Sequence, residues 1–72
     1  MENKRIPWLT LYLCHGKEPL FFNGEYAETA FQQLMADTPR PMLFLNTDIP
    51  MKRNIHIYTK YIIRFETNIG ME

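Results

Sequence analysis

Few side chains in this sequence could act as a nucleophile or as a base. Cys14 stands directly before His15, and the other histidine is His56. A thiol beside an imidazole is the pair that cysteine-dependent catalysis uses. Cys14 ends an alternating run, however, and adjacent strand residues point to opposite faces, so the two side chains are expected to diverge. We therefore predict that the chain is not an enzyme and has no catalytic residue.

The composition also argues against a metal site or a cofactor site. One cysteine and two histidines do not complete a tetrahedral zinc site, and neither CxxC nor HxxxH spacing occurs. The three glycines are scattered and form no phosphate-binding loop. The prediction is that the chain holds no metal and no cofactor.

Aromatic and cationic side chains at alternating positions suggest binding instead of catalysis. Rings that stack and cations that pair with acidic groups occur both in protein interfaces and in sites for single-stranded nucleic acid. One helix can cover only one face of a sheet, so the other face should carry these side chains if their strands belong to the same sheet. The predicted partner-binding residues are Trp8, Tyr12, His56, Tyr58, Lys60 and Arg64.

Periodicity predicts the elements that hold these residues. Alternation over 8–14 and the short apolar run 20–22 predict two strands joined as a hairpin. Apolar residues three and four positions apart over 25–37 predict an amphipathic helix. The apolar run 42–45 predicts a strand covered on both faces, and the alternation over 52–67 predicts further β-structure.

The segment 52–67 is too long for one strand in so short a chain, because it would extend about 46 Å at roughly 3.3 Å per residue. A break near Thr59 is therefore predicted. A two-residue turn there would place apolar and charged side chains on one face. A three-residue connection over 58–60, or a bulge of equal effect, pairs Ile57 with Tyr61 and keeps the apolar side chains together. We predict this longer connection.

These elements predict an α+β fold in a single small domain, residues 1–72, with the order β-β-α-β-β-β. The strands are expected to form an antiparallel or mostly antiparallel sheet with the helix packed on one face. The predicted core consists of the apolar residues on the covered faces: Leu9, Leu11, Leu13, Phe31, Leu34, Leu43 or Leu45, Ile55, Ile57, Ile63 and Phe65.

Charge and cysteine content narrow the class of partner and the compartment. The chain has 72 residues, and its eight Lys plus Arg balance eight Asp plus Glu. Proteins that bind mainly by neutralising phosphates usually carry a basic excess, so nucleic acid is the less favoured partner. A single cysteine allows no disulfide within the chain, and no apolar run is long enough to span a membrane. A cytoplasmic location and no membrane partner are predicted.

The function predicted from the residues is that of a small non-catalytic protein that inhibits or regulates a partner by occluding its surface. The partner is expected to be another protein or a second copy of the chain as a homodimer. The alternatives are a module for single-stranded nucleic acid and a dimer that sequesters a nucleotide signal. Small size, one domain and a mixed aromatic and charged surface resemble the profile of accessory proteins from phages and mobile elements. That resemblance implies an inhibitor of a host enzyme complex.

Overall fold

A computed structural model describes residues 6–14, 18–37 and 40–70 of the chain. The predicted α+β class and the order β-β-α-β-β-β are confirmed. The elements are β1 (Trp8–Leu13), β2 (Leu20–Asn23), α1 (Glu25–Leu34), β3 (Met42–Thr47), β4 (Arg53–Tyr58), a 3-10 turn (Thr59–Tyr61) and β5 (Ile62–Thr67).

The strands form two antiparallel sheets instead of the single sheet that was predicted. In the three-stranded sheet β1 lies between β2 and β5, whereas β3 and β4 form a separate two-stranded sheet. The predicted break near Thr59 is confirmed, but the pairing of Ile57 with Tyr61 is wrong. Ile57 lies opposite Leu43, and the 3-10 turn carries the chain from β4 into the other sheet. Alternation reports which face of a strand is covered, but it does not report which strand is its neighbour.

The core is built from side chains of the three-stranded sheet, of α1 and of the β3–β4 hairpin. Leu9 is opposite Phe22 across β1 and β2, and both side chains are buried. On α1 the buried residues are Ala27 and Ala30. Their small side chains allow the helix backbone to lie close to the sheet, and the edge of the Phe31 ring meets the Phe65 ring of β5 at a centroid distance of 6.3 Å.

The predicted core is wrong at Ile63. The pairing of β1 with β5 shifts after Tyr12, so that Leu13 lies opposite Ile62. Ile63 falls within this irregularity and is 61% exposed, whereas Ile62 packs against the core. A bulge inserts one extra residue and so reverses the alternation of faces at that point.

Two side chains fix the position of β3: Thr47 joins it to β2 of the other sheet, and Gln33 joins it to α1. The hydroxyl of Thr47, which is 1% exposed, donates to the carbonyl oxygen of Phe21 at 2.5 Å and accepts from the Ile49 N–H at 3.2 Å. On α1, Gln33 binds the backbone of β3: its Nε2 donates to the Phe44 carbonyl oxygen at 2.8 Å, and its Oε1 accepts from the Phe44 N–H at 3.3 Å. Both contacts occupy strand edges that would otherwise present unpaired backbone groups.

The 3-10 turn is held at both of its ends. The Thr59 N–H donates to the Pro41 carbonyl oxygen at 3.0 Å, and the Thr59 hydroxyl donates to the Arg40 carbonyl oxygen at 2.9 Å. The Cys14 N–H donates to the Tyr61 carbonyl oxygen at 2.9 Å. The turn is therefore fixed both to the start of β3 and to the end of β1.

Within the described ranges, no helix has the length and apolar character needed to cross a bilayer, and α1 has ten residues.

Candidate binding surfaces

The six predicted binding residues lie on two different surfaces, because their strands belong to different sheets. Trp8, Tyr12 and Arg64 project from the outer face of the three-stranded sheet. His56 and Tyr58 project from the outer face of the β3–β4 hairpin, and Lys60 extends this second group from the 3-10 turn. The condition that all these residues share one sheet is not met.

The first surface, which we name the outer-sheet patch, comprises Trp8, Thr10, Tyr12, Phe21, Arg64 and Glu66. Register sets its membership, since Thr10 lies opposite both Phe21 and Glu66 while Tyr12 lies opposite Arg64. The prediction omitted Phe21, which is 47% exposed. The alternation of β2 contains the signal, because burying Phe22 against Leu9 turns Phe21 outward.

The cation of the outer-sheet patch already has partners within the chain. The guanidinium carbon of Arg64 lies 4.2 Å from the centroid of the Tyr12 ring. Arg64 Nε is 3.5 Å from Glu66 Oε2, and the Tyr12 hydroxyl donates to Glu66 Oε1 at 3.2 Å. These contacts join ring, cation and carboxylate into one local network. Another molecule would compete with them for Arg64.

The second surface, which we name the hairpin patch, comprises Phe44, His56, Tyr58, Lys60 and Tyr61. The Phe44 and His56 rings meet edge to face at a centroid distance of 4.9 Å, and the Tyr58 and Tyr61 rings do so at 6.0 Å. Lys60 Nζ lies 5.8 Å from the Tyr58 centroid and 5.3 Å from the Tyr61 centroid. The patch thus presents clustered rings with an ammonium group placed over two of them.

Strand register and the 3-10 turn bring the hairpin patch together. Phe44 of β3 lies directly opposite His56 of β4, and the turn places Tyr61 beside Tyr58. Phe44 is 54% and Tyr58 50% exposed. The expectation that the run 42–45 is covered on both faces is wrong, since Phe44 and Met42 project outward. An apolar run hides its alternation when the outward side chains are apolar too, so the sequence contains no signal for Phe44.

An open groove of about 600 Å³ lies beside the hairpin patch, between the two sheets. Most of its walls are apolar. Its lining residues are Leu13, Cys14, Leu20, Ile55, His56, Ile57, Tyr58 and Tyr61. The groove opens next to β4, whose neighbour on one side is β3 and whose other side faces no strand in the described chain.

The charged residues within the sequence segment 49–65, which contains β4, all have one sign. The sequence from 49 to 65 contains Lys52, Arg53, Lys60 and Arg64 and has no aspartate or glutamate. Arg64 pairs with Glu66, and the described residues contain no ion pair that involves the other three cations. Lys52, Arg53 and Lys60 stand at the two ends of β4, and we name them the rim charges. They make this segment electropositive although the chain has no net charge.

Cys14 and His56, the described thiol and imidazole considered in the sequence, both line the groove. No hydrogen bond is formed between Cys14 and His56. His15, the other member of the pair considered in the sequence, lies outside the described residues. Across the described part of the chain, no three His, Cys, Asp or Glu side chains are grouped so that they could hold a metal ion.

No protein-family model matches the chain, and comparison with curated proteins and with solved structures finds no significant match in either set.

Proposed function

We propose that this protein is a small cytoplasmic, non-catalytic binding protein that regulates or inhibits a partner protein by covering part of its surface. The proposal places the contact at the hairpin patch and the adjoining groove. Trp8, Tyr12 and Arg64 of the outer-sheet patch are assigned a secondary role. A source in a phage or mobile element agrees with this kind of activity, because such accessory proteins work by binding and blocking.

The observation that carries the proposal is the cluster of exposed rings around Lys60. Phe44, Tyr58 and Tyr61 are each more than one-third exposed, and they lie beside an apolar groove. Aromatic side chains dominate the energetics of protein interfaces because they bury large areas and lose little rotamer entropy. Contiguous exposed apolar surface on a small protein marks a place where another molecule binds.

The two surfaces differ in the availability of their cations, and this difference favours the hairpin patch. Arg64 in the outer-sheet patch is paired with Glu66 and stacked on Tyr12. Lys60 in the hairpin patch lies over two rings and has no ion pair with any residue that the structure describes, so its ammonium group can pair with a carboxylate of another molecule. Binding at the hairpin patch therefore breaks no ion pair among the described residues.

A photo-cross-linking experiment tests the proposal. Tyr58 is replaced by p-benzoylphenylalanine, and as the matched control Glu28 on the exposed side of α1 receives the same substitution. Irradiation in cells that express the chain is followed by electrophoresis and mass spectrometry. We expect one protein adduct of defined mass from position 58 and none from position 28.

Other cross-linking results would contradict the proposal or assign the patch to a different class of partner. Equal adducts from both positions, or none from position 58, would contradict it. An adduct that is sensitive to nuclease would assign the patch to nucleic acid, which also binds rings and cations. That alternative further predicts binding of a single-stranded oligonucleotide whose affinity falls linearly with salt on a logarithmic scale.

A further inference from the structure

The open side of β4 is a row of backbone groups with no partner in the described chain. In antiparallel strands the N–H and C=O of one residue point the same way, and successive residues alternate. Gln33 occupies both backbone groups of Phe44 from the side away from β4. His56, which lies opposite Phe44, therefore directs its own N–H and C=O away from β3, as do Asn54 and Tyr58.

The contact at the end of the hairpin agrees with this alternation. The Thr59 N–H donates to the Pro41 carbonyl oxygen, so the odd-numbered residues are those that face β3. Within the described residues, no hydrogen bond to another part of the chain occupies the backbone of Asn54 or His56 or the N–H of Tyr58. The Tyr58 carbonyl oxygen is already used, because it accepts the first bond of the 3-10 turn. A new strand beside β4 could form hydrogen bonds with the N–H and C=O of Asn54 and His56 and with the N–H of Tyr58.

The fold covers or distorts its other strand edges. Gln33 covers β3, and Thr47 binds the outer side of β2 at Phe21. The β5 strand has an irregularity next to Tyr12 and Leu13. The register of β4 with β3, in contrast, runs without a shift from Arg53 to Tyr58. Natural proteins usually blunt an exposed edge, so a regular uncovered edge beside an apolar groove indicates a place for strand addition.

We propose that this edge binds an extended acidic segment of a partner protein as an added β-strand, an inference that rests on the function proposed above. Side chains of the added strand at alternate positions enter the groove beside Ile55 and Ile57. Acidic residues at the two ends of the added strand lie near Lys52 and Arg53 at one end and near Lys60 at the other. Main-chain hydrogen bonds supply affinity, and the groove and rim charges supply selectivity.

The charges also argue against a second copy of this chain as the occupant. Two β4 strands related by a two-fold axis use all the open backbone groups only when His56 lies opposite His56 of the other copy. In that register Lys52 of each copy comes to the end of the pair where β4 of the other copy enters the 3-10 turn that carries Lys60. Like charges brought together at both ends of a strand pair repel each other and weaken the pairing.

Designed peptides test the inference. The probe is Glu-Thr-Thr-Val-Thr-Val-Thr-Asp-Glu, in which the valines face Ile57 and Ile55 and the end carboxylates face Lys60 and Lys52. One analogue carries an N-methyl group on the central threonine, whose N–H would bond to His56. A matched analogue carries it on the preceding valine, whose N–H points away from β4. Binding is measured by calorimetry and by amide hydrogen exchange.

We expect the first analogue to bind about tenfold more weakly than the unmodified peptide and the second to bind within about twofold of it, since only the first loses a hydrogen bond to β4. Exchange at the Asn54, His56 and Tyr58 amides should slow when the peptide binds. Lys52→Glu should weaken binding several-fold at low salt, and Arg40→Glu, on the β3 side of the hairpin, serves as the charge-matched control.

Three outcomes would overturn the inference. The first is that the peptide does not bind, and the second is that both N-methyl analogues lose the same affinity. The third is that the protein alone has twice the mass of one chain by light scattering, with the Asn54, His56 and Tyr58 amides already protected from exchange. The last outcome would assign the edge to a second copy. If the peptide fails while position 58 still cross-links to a partner, strand addition is wrong and the proposed function stands. If the peptide binds while position 58 yields no adduct, the β4 edge does accept an added strand and the partner contact proposed for the hairpin patch is wrong.

Discussion

The side-chain amide of Gln33 hydrogen-bonds both backbone groups of Phe44, with Nε2 donating to the carbonyl oxygen at 2.8 Å and Oε1 accepting from the N–H at 3.3 Å. One helix residue thereby takes the place of a neighbouring strand along part of β3. The contact also fixes the hairpin relative to α1, and Phe44 is a member of the hairpin patch.

Replacing Gln33 should loosen the attachment of the hairpin to the helix. We expect Gln33→Ala to lower the free energy of unfolding by about 0.5–1.5 kcal/mol, because it leaves both Phe44 backbone groups without their partner. Gln33→Glu retains an acceptor but cannot donate, so it should also destabilise. Urea denaturation measures both effects. The control is Gln32→Ala at the exposed neighbouring position, and an equal loss there would show that the amide contact does not matter.

Thr47 joins the two sheets through a buried hydroxyl. Thr47→Val keeps the shape but leaves the Phe21 carbonyl oxygen and the Ile49 N–H without that partner, which should cost about 1–2 kcal/mol. Thr10→Val makes the same change on the outer-sheet patch and should alter stability by about 0.5 kcal/mol or less. Similar values for the two variants, measured by chemical denaturation, would contradict the bridging role of Thr47.

The bulge in β5 predicts opposite sensitivities at two adjacent isoleucines. Ile62→Ala removes a side chain that packs on the core and should cost about 1–3 kcal/mol. Ile63→Ala removes an exposed side chain and should cost about 0.5 kcal/mol or less. Melting temperatures of the two variants provide the comparison. A larger loss at position 63 would mean that the strand is regular and that Ile63 is the core residue.

Tyr12 and Arg64 should show a modest energetic coupling. The guanidinium group lies over the ring at an exposed site, where such contacts contribute about 0.5–1 kcal/mol. A double-mutant cycle with Tyr12→Leu and Arg64→Ala measures this quantity directly. Repeating the cycle in high salt should reduce the part that runs through Glu66. A coupling of zero at both salt concentrations would mean that the stack contributes nothing to stability.

The order of the elements could be predicted from the sequence because periodicity is a local property. Leu9 and Leu11 alternate with polar neighbours, and Ala27 and Ala30 are spaced for one helix face, whatever lies against them. Strand pairing was not predictable in this way. Pairing depends on which strand edges meet in the folded chain. The alternation that buries Ile55 and Ile57 is compatible with β3 as the neighbour of β4, which is what the structure has, and equally with β5.

The candidate site was predictable only in part, because periodicity is local and strand pairing is not. His56, Tyr58 and Lys60 lie together because they are neighbours in one alternating segment. Phe44 joins them through strand pairing, and Tyr61 through the 3-10 turn. Neither position has a signal in the sequence that marks it as exposed, since Phe44 stands within an apolar run and Tyr61 falls on the odd-numbered positions with Ile55, Ile57 and Ile63.

The position of β1 between β2 and β5 has a consequence for the order of folding. The Trp8 N–H donates to the Asn68 side chain across 60 positions of sequence, whereas Phe44 and His56 are close along the chain. The β3–β4 hairpin can therefore form through contacts between residues that are close in the sequence, whereas β1 completes its pairing only when β5 is present. While ribosomes synthesise the chain, one side of β1 stays unpaired until β5 has emerged. The uncovered edge of β4, in contrast, takes shape as soon as the hairpin forms.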